Sequence, residues 1–281
     1  MRIIVAILIL IGAAGAYFVH SANDTSARLD QRWAAHVESS ETVIDHSEWQ
    51  LLLDDYLVTD ADSGVYLFDY SGLLDDGREP LDAYVQYLTE VDPLTLNRSE
   101  QKAYWINLYN ALTVRLIMDN YPLASITTLG SNPLVFGPWS ETATHINDVA
   151  LSLNDIEHRI IRPLYDDYRI HFAVNCASIG CPNLAAEAFT ADALDEQLDQ
   201  AAADFLSHPR GLSLDGDTLN LSSLFEWYAV DFGDDQAEVL TTLGRHIDAD
   251  TRDQLMRFDG TPVYAYDWGL NGYCSIDNEC G

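Results

Sequence analysis

The chain has 281 residues, 48% of them hydrophobic, enough for one large domain with a core of its own. Asp and Glu number 45 against 14 Lys and Arg, for a formal net charge of −31, and Lys102 is the lone lysine. Phosphate backbones and anionic lipid surfaces are held through Lys and Arg, so this balance argues against nucleic-acid binding and against docking on anionic membranes. The acid is dispersed (Asp54, Asp55, Asp166, Asp167, Asp234, Asp235), which suits a protein working in high salt, where self-repulsion is screened. An ordinary acidic exported protein is the alternative.

In chain order, residues 1–22 carry Arg2 and then an apolar run from Ile3 to about Val19, the pattern of a signal peptide. An N-terminal membrane anchor of one span is the alternative. Either places the rest outside the cytoplasm, in the periplasm or on the inner membrane facing it. Residues 23–45 read as a polar, Ala-rich linker, and a single domain is expected over 46–281. SEWQLLLDDYL reads as a helix capped by Ser47, GVYLFDYSGL as a strand closing on Gly72, and PLDAYVQYLTEV as an amphipathic helix. SEQKAYWINLYNALTVRLIMDNYP predicts the central buried helix, apolar nearly all round, capped by Ser99 and stopped by Pro122. ATHINDVALS is extended. SLNDIEHRIIRP predicts a short helix with Ser152 and Asp155 in a capping-box-like pair and Pro163 as its stop. RIHFAVN reads as a buried strand, TADALDEQLDQAAADFLSH as a surface helix, and GLSLDGDTLNLSSLFEWYAV as a hairpin turning at Asp215-Gly216 followed by a helix. Helices and strands mix without a βαβ rhythm. The expected fold is α+β, a single domain with a small mixed or antiparallel sheet packed on the buried central helix.

The chemistry concentrates in HFAVNCASIGCPNL. Cysteines stand at 176, 181, 274 and 280, and an even count in an exported chain makes disulfides the default, most simply Cys176–Cys181 and Cys274–Cys280. The competing reading makes Cys176 a nucleophile with a histidine base. If the strand persists, side chains alternate and His171 faces away from Cys176, so His158 or His145 would have to serve. Backbone N–H groups of residues 177–180 could then hold an oxyanion. A lone C-x4-C without a second pair is a weak zinc signature, and neither metal nor cofactor is expected. Asn107 and Asn110, three apart on the central helix, either tie it to neighbouring backbone or orient a substrate or base. His158 and Arg162 share a helix face with Glu157 beside them, either a solvated charge pair or a base with its orienting carboxylate.

Taken together, KAYWINLYNALTV, LNDIEHRIIR, RIHFAVNCASIGCPNL, FEWYAVDFG and YDWGLN resemble domain-of-unknown-function family 547, from about His46 to the C-terminus. The resemblance implies motif positions at Trp105, Asn107, Asn110, Glu157, His158, Arg162, Asn175, Cys176, Cys181 and Pro182, and no settled activity. Cys-plus-His content invites comparison with papain-like and transglutaminase-like hydrolases, by analogy only. The central helix carries Asn107 where such enzymes place a thiol.

Three functions follow as expectations. The first is a cysteine-dependent hydrolase or acyl-transfer enzyme on peptide or amide bonds: Cys176 nucleophile, His158 base, Asn107 or Glu157 orienter, with Asn110, Arg162, Asn175 and Trp105 in binding roles. The second is a non-enzymatic envelope domain holding a small molecule or peptide, with a Cys176–Cys181 disulfide at its pocket. The third is a thiol redox partner. All place Asn107, His158, Arg162 and Cys176 around one concavity at the end of strand 169–175, walled by the central helix.

The charge generates one expectation directly. The Debye length grows from about 3 Å at 1 M salt to about 30 Å at 0.01 M, so a chain at −31 should melt at steadily higher temperature as sodium chloride is raised. A calorimetric Tm that stays flat across that range removes the salt-adapted reading.

Overall fold

The computed structural model describes residues 29–59, 63–131 and 137–273. The signal or anchor segment 1–22, Cys274 and Cys280 lie outside the described residues, and among those residues no helix is long and apolar enough to cross a membrane.

Helix α1 (Ser47–Tyr56) leads into β1 (Leu57–Thr59), which pairs antiparallel with β2 (Tyr66–Phe68). That strand is shorter than the sequence suggests, because the Asp69 carboxylate accepts from Gly72 N and turns Tyr70–Gly72 into a helical turn. A π-helical turn (Leu73–Gly77) then feeds α2 (Arg78–Glu90), which buries Leu81, Tyr84, Val85 and Leu88. The central helix α3 (Arg98–Asn120) is buried on every side from Gln101 to Val114. Its cap is Asn97, not Ser99: the Asn97 side chain accepts from Glu100 N at 2.9 Å. Glu100, freed from a capping box, accepts instead from Ile44 N at 2.7 Å.

That contact belongs to a larger docking. Residues 29–45, expected as linker, lie on the domain. Trp33 is 1% exposed and meets Trp105 edge-on at 5.3 Å, Arg98 donates to Ala34 O, and Gln101 donates to Ala35 O. A buried indole supplies enough apolar area to order a segment that is otherwise polar.

Strands β3 (Thr142–Ile146) and β4 (Val149–Ser152) form a hairpin whose turn residues Asn147 and Asp148 both take positive φ, as a tight hairpin turn requires. Ser152 and Asp155 exchange backbone-to-side-chain bonds of 3.0 and 3.1 Å, the reciprocal cap expected from their spacing. The helix they open is π-helical over Asp155–Ile161 and continues as α4 (Arg162–Tyr165). Pro163 therefore does not stop it. Proline is tolerated in the first turn of α4, and the left-handed Asp166 makes the end.

The predicted strand over 169–175 is absent. Tyr168–Phe172 is a 3-10 turn whose N-cap, Asp167, accepts from Arg169 N. Beyond it, α5 (Leu194–Ser207) precedes the three-stranded sheet of β5 (Leu212–Asp215), β6 (Thr218–Ser222) and β7 (Val263–Ala265), with β5–β6 antiparallel and β6–β7 parallel. Four short helices lie between β6 and β7: α6 (Leu224–Trp227), α7 (Ala229–Phe232), α8 (Gln236–Leu243) and α9 (Ala249–Leu255).

The fold is thus mixed helix and small sheets, as expected, but its apolar side chains form two clusters. One surrounds α3. The other holds the three-stranded sheet, part of α5 and the helices α6–α9. The antiparallel β3–β4 pair is the small sheet that packs on the central helix, and the three-stranded mixed sheet belongs to the second cluster. Residues 170–174 serve both clusters, Ile170, Ala173 and Val174 joining the first and Phe172 the second. At three residues per turn a 3-10 segment can divide its side chains this way without a strand partner.

Trp33→Ala should cost about 3–5 kcal/mol, the range for deleting a buried aromatic. Urea denaturation showing a change within about 0.5 kcal/mol, the range of an ordinary surface site, would return residues 29–45 to the status of a linker.

Candidate active site

The two clusters meet at a cavity of about 40 Å³, room for roughly three waters. Val174 and Cys176 reach it from the first cluster, Leu224, Trp227 and Tyr228 from the second, and Trp268 packs against both. Glu157, His158, His171, Cys181 and Tyr266 complete the part of its wall that can do chemistry.

Asn110 positions the cysteine. Its Nδ2 donates to Ala173 O and its Oδ1 accepts from Asn175 N, both at 2.9 Å, so a helix side chain satisfies backbone that a strand partner would otherwise pair. Asn175 continues the work: Nδ2 donates to Pro182 O and Oδ1 accepts from Ala177 N, each at 2.8 Å. This places Ala177 at φ +57°, a left-handed conformation that costs a β-carbon residue energy and persists because its surroundings hold it. Gly180 then runs so close to Asp267 that a Cβ would stand 2.7 Å from that residue's N. Only glycine fits there.

Three polar groups converge on Cys176. Its Sγ lies 2.9 Å from Cys181 Sγ, 3.0 Å from Tyr266 Oη and 3.3 Å from Ser178 Oγ. Burial works to raise the Cys176 pKa, but those hydrogen bonds outweigh it and hold the thiol below its ordinary value. Burial and the neighbouring Cys176 push Cys181 well above its own. The pair is therefore asymmetric, with Cys176, the less buried residue, favoured as thiolate and Cys181 as thiol.

Three of the four N–H groups of the expected oxyanion loop are already engaged. The N–H groups of Ala177, Ile179 and Gly180 donate to Asn175 Oδ1, Gly269 O and Asp267 O. Hydroxyls remain at the sulfur, on Tyr266 and Ser178; they are also 2.8 Å apart, so one of them donates to the other.

Two histidines face the cavity. His171 joins because the 3-10 turn breaks the alternation that a strand would impose. Its Nε2 donates to Asp231 Oδ2 at 2.6 Å, and its ring stacks on Tyr228 at 4.2 Å. Asp231 also takes a bidentate pair from Arg162 at 2.6 and 2.9 Å; burial opposes its ionisation, but these partners hold the carboxyl well below the ordinary value. Arg162 lies over the Tyr228 ring at 4.9 Å. His158 differs. Its Nδ1 is 3.2 Å from Arg162 Nη1, which can only donate, so Nδ1 accepts and the neutral ring carries its proton on Nε2. Burial lowers the His158 pKa, with Arg162 acting the same way and Glu157 against. Glu157 accepts from Tyr109 Oη at 3.0 Å. Asp155–Ile161 is π-helical, so adjacent residues diverge by less than the about 100° of an α-helix, and Glu157 and His158 both line the wall.

Of the residues expected from sequence, Cys176, Cys181, His158 and Glu157 line the cavity, and Arg162, Asn110 and Asn175 brace it. Asn107 does not reach it: both ends of its amide bind Phe189 backbone, at 2.7 and 3.0 Å. Trp105 packs against Trp33 and Tyr104, away from the cavity. His145 is exposed on β3. Sequence reasoning missed Asp231, Tyr266 and the aromatic wall, although FEWYAVDFG and YAYDWG carried them. Among the described residues no group of three or more His, Cys, Asp or Glu is arranged to hold a metal.

Residues 93–206 match the model of a family described as "Protein of unknown function, DUF547". The match includes α3, Glu157, His158, His171 and the cysteine turn, and ends before Tyr228, Asp231 and Tyr266. No curated protein and no solved structure matches the chain.

Because the thiolate is the reactive form, alkylation of Cys176 by iodoacetamide should have its midpoint below the usual thiol value of about 8.5. Cys181 should react only at higher pH. Tyr266→Phe removes one donor and should move the Cys176 midpoint upward. A wild-type midpoint at or above the usual value, read by peptide mass, contradicts the asymmetry.

Proposed function

We propose, on the geometry of the cavity and within a chain whose residues 93–206 match the DUF547 model, that the protein is a thiolate-dependent hydrolase or acyl-transfer enzyme acting on peptide or amide bonds. The observation that carries this is the convergence of the Cys181 thiol and the Tyr266 and Ser178 hydroxyls on Cys176 Sγ, in a cavity that a part-buried His171–Asp231 pair also faces. In this reading Cys176 Sγ attacks the carbonyl carbon, and the displaced electron pair moves onto oxygen, where the Tyr266 and Ser178 hydroxyls receive it. His171, its Nε2–H held by ionised Asp231, uses Nδ1 for proton transfer: protonated, it gives the leaving amine its proton, and neutral again, it takes one from the water that cleaves the thioester. His158, whose Nδ1 is occupied by Arg162, contributes a donor from Nε2 in place of the base role expected from sequence. The small volume suits the scissile group and leaves the rest of a peptide or small-molecule substrate outside. Export to the periplasm, or anchoring on its inner membrane, is part of the proposal and rests on the apolar run at Ile3 to Val19.

A second reading is thiol–disulfide exchange, favoured by the 2.9 Å separation of Cys176 and Cys181 Sγ. In the envelope-binding alternative, the same pair is oxidised and shapes the mouth of a pocket without turnover.

A p-nitrophenyl acyl ester distinguishes them. The enzyme reading expects an acyl adduct on Cys176 by intact mass and release beyond one equivalent. Cys176→Ala should abolish turnover, and His171→Ala should lower it about 10²- to 10⁴-fold, the usual worth of a general base. Full Cys176–Cys181 oxidation in protein taken from its own compartment, with no acyl adduct after reduction, would assign the cavity to binding.

A further inference from the structure

Arg210 follows α5 and takes no part in the chemistry above, yet its setting is unusual for this chain. Against 45 acidic side chains, it pairs with no carboxylate among the described residues. Its Nη1 donates to Ile179 O at 3.0 Å, its Nη2 donates to Asn183 Oδ1, and its Nε is buried without a partner. The guanidinium lies over the Phe205 ring at 5.6 Å. Ile179 and Asn183 flank Cys181 by two residues on either side, so the arginine grips the cysteine turn on both sides of that thiol.

A partly buried cation held only by neutral acceptors keeps its charge uncompensated, which is costly where water is scarce. An anion forming nearby relieves that cost, and in a poorly solvated site the attraction reaches further than in water. Burial lowers the Arg210 pKa, while Cys181 and Tyr266 act to raise it. Both of those groups are in contact with Cys176 Sγ. The dithiol gives up its first proton as a coupled unit, so a positive charge beside any member lowers the first ionisation of the whole.

We infer that Arg210 is a positioning residue for the thiol pair: it clamps the 179–183 turn through Ile179 and Asn183 and supplies the positive charge against which the Cys176–Cys181–Tyr266 cluster ionises. This rests on the thiolate reading of Cys176 and serves acyl transfer and thiol exchange alike. Arg162, the other arginine near the site, is committed to Asp231 and cannot supply an uncompensated charge.

The test uses the full chain and reads iodoacetamide alkylation of Cys176 against pH, by peptide mass, in wild type, Arg210→Gln and Arg210→Lys. Glutamine keeps donors for the turn and removes the charge; lysine keeps the charge and loses the fork. The expected result is an upward shift of the midpoint by about one unit in Arg210→Gln, close to a tenfold loss of rate below the midpoint, with Arg210→Lys near wild type. If Arg210→Gln does not fold, Arg210→Lys decides: a wild-type midpoint supports the charge and an upward shift overturns it. A melting temperature that falls in Arg210→Gln while its midpoint stays at the wild-type value also overturns the inference, leaving a purely structural clamp. A wild-type midpoint at the ordinary thiol value overturns the thiolate reading itself, and the role of Arg210 with it.

Discussion

The paired hydrogen bonds between the Asn110 amide and the backbone of Ala173 and Asn175 are the constraint on which the site depends. They lie inside the first cluster, where an unmade bond costs about 1–3 kcal/mol per orphaned group. Because a side chain on α3 takes the place of a neighbouring strand, the chain is not obliged to run straight through 170–176. It arrives as a 3-10 turn and leaves through a left-handed residue at Ala177. His171 and Cys176 then reach one cavity, which the period of a strand would have prevented. Asn107 makes the same kind of two-ended contact one turn earlier, to Phe189, and so ties the segment after the cysteine turn to the same helix.

Around this scaffold, the scarce basic residues are spent where acids must be held in place. Lys102, the lone lysine, is nearly buried and sits 2.6 Å from Asp167, which Arg169 also grips. Asp167 caps the 3-10 turn that delivers His171. Arg162 does the equivalent for Asp231 on the far side of the cavity. Removing one partner from such a pair leaves an uncompensated charge, typically a loss of about 3–5 kcal/mol. The surface carries the opposite pattern, acid in excess with exposed pairs that contribute little. Net charge therefore speaks to the medium the protein tolerates, and a few pairs near the cysteine turn speak to its geometry.

Local signals in the sequence were reliable where the physics is local. The amphipathic helix at 78–90, the capping pair Ser152–Asp155, the hairpin over 212–222 and the buried helix at 98–120 all follow from spacing and side-chain chemistry within a few residues. The buried run RIHFAVN misled because apolar β-branched residues fit a strand or a buried turn equally, and the choice lay with Asp167 and Asn110. The segment 29–45 misled in the same way: its polarity suits a linker, and one indole, Trp33, against Trp105 decided otherwise.

The sequence by itself determined the acidic surface, the mixed helix-and-strand composition, the family resemblance and the concentration of reactive groups at Cys176, His158 and Glu157. These depend on residue type and short spacing. Tertiary structure alone decided which histidine meets a carboxylate, which donors face the sulfur, and that Asn107 is a tie. His171 and Asp231 stand 60 residues apart, and Cys176 and Tyr266 stand 90 apart. Such pairs form where two apolar clusters close on each other. No local preference encodes that meeting, because burial of each cluster is satisfied by many distant partners and only packing selects among them.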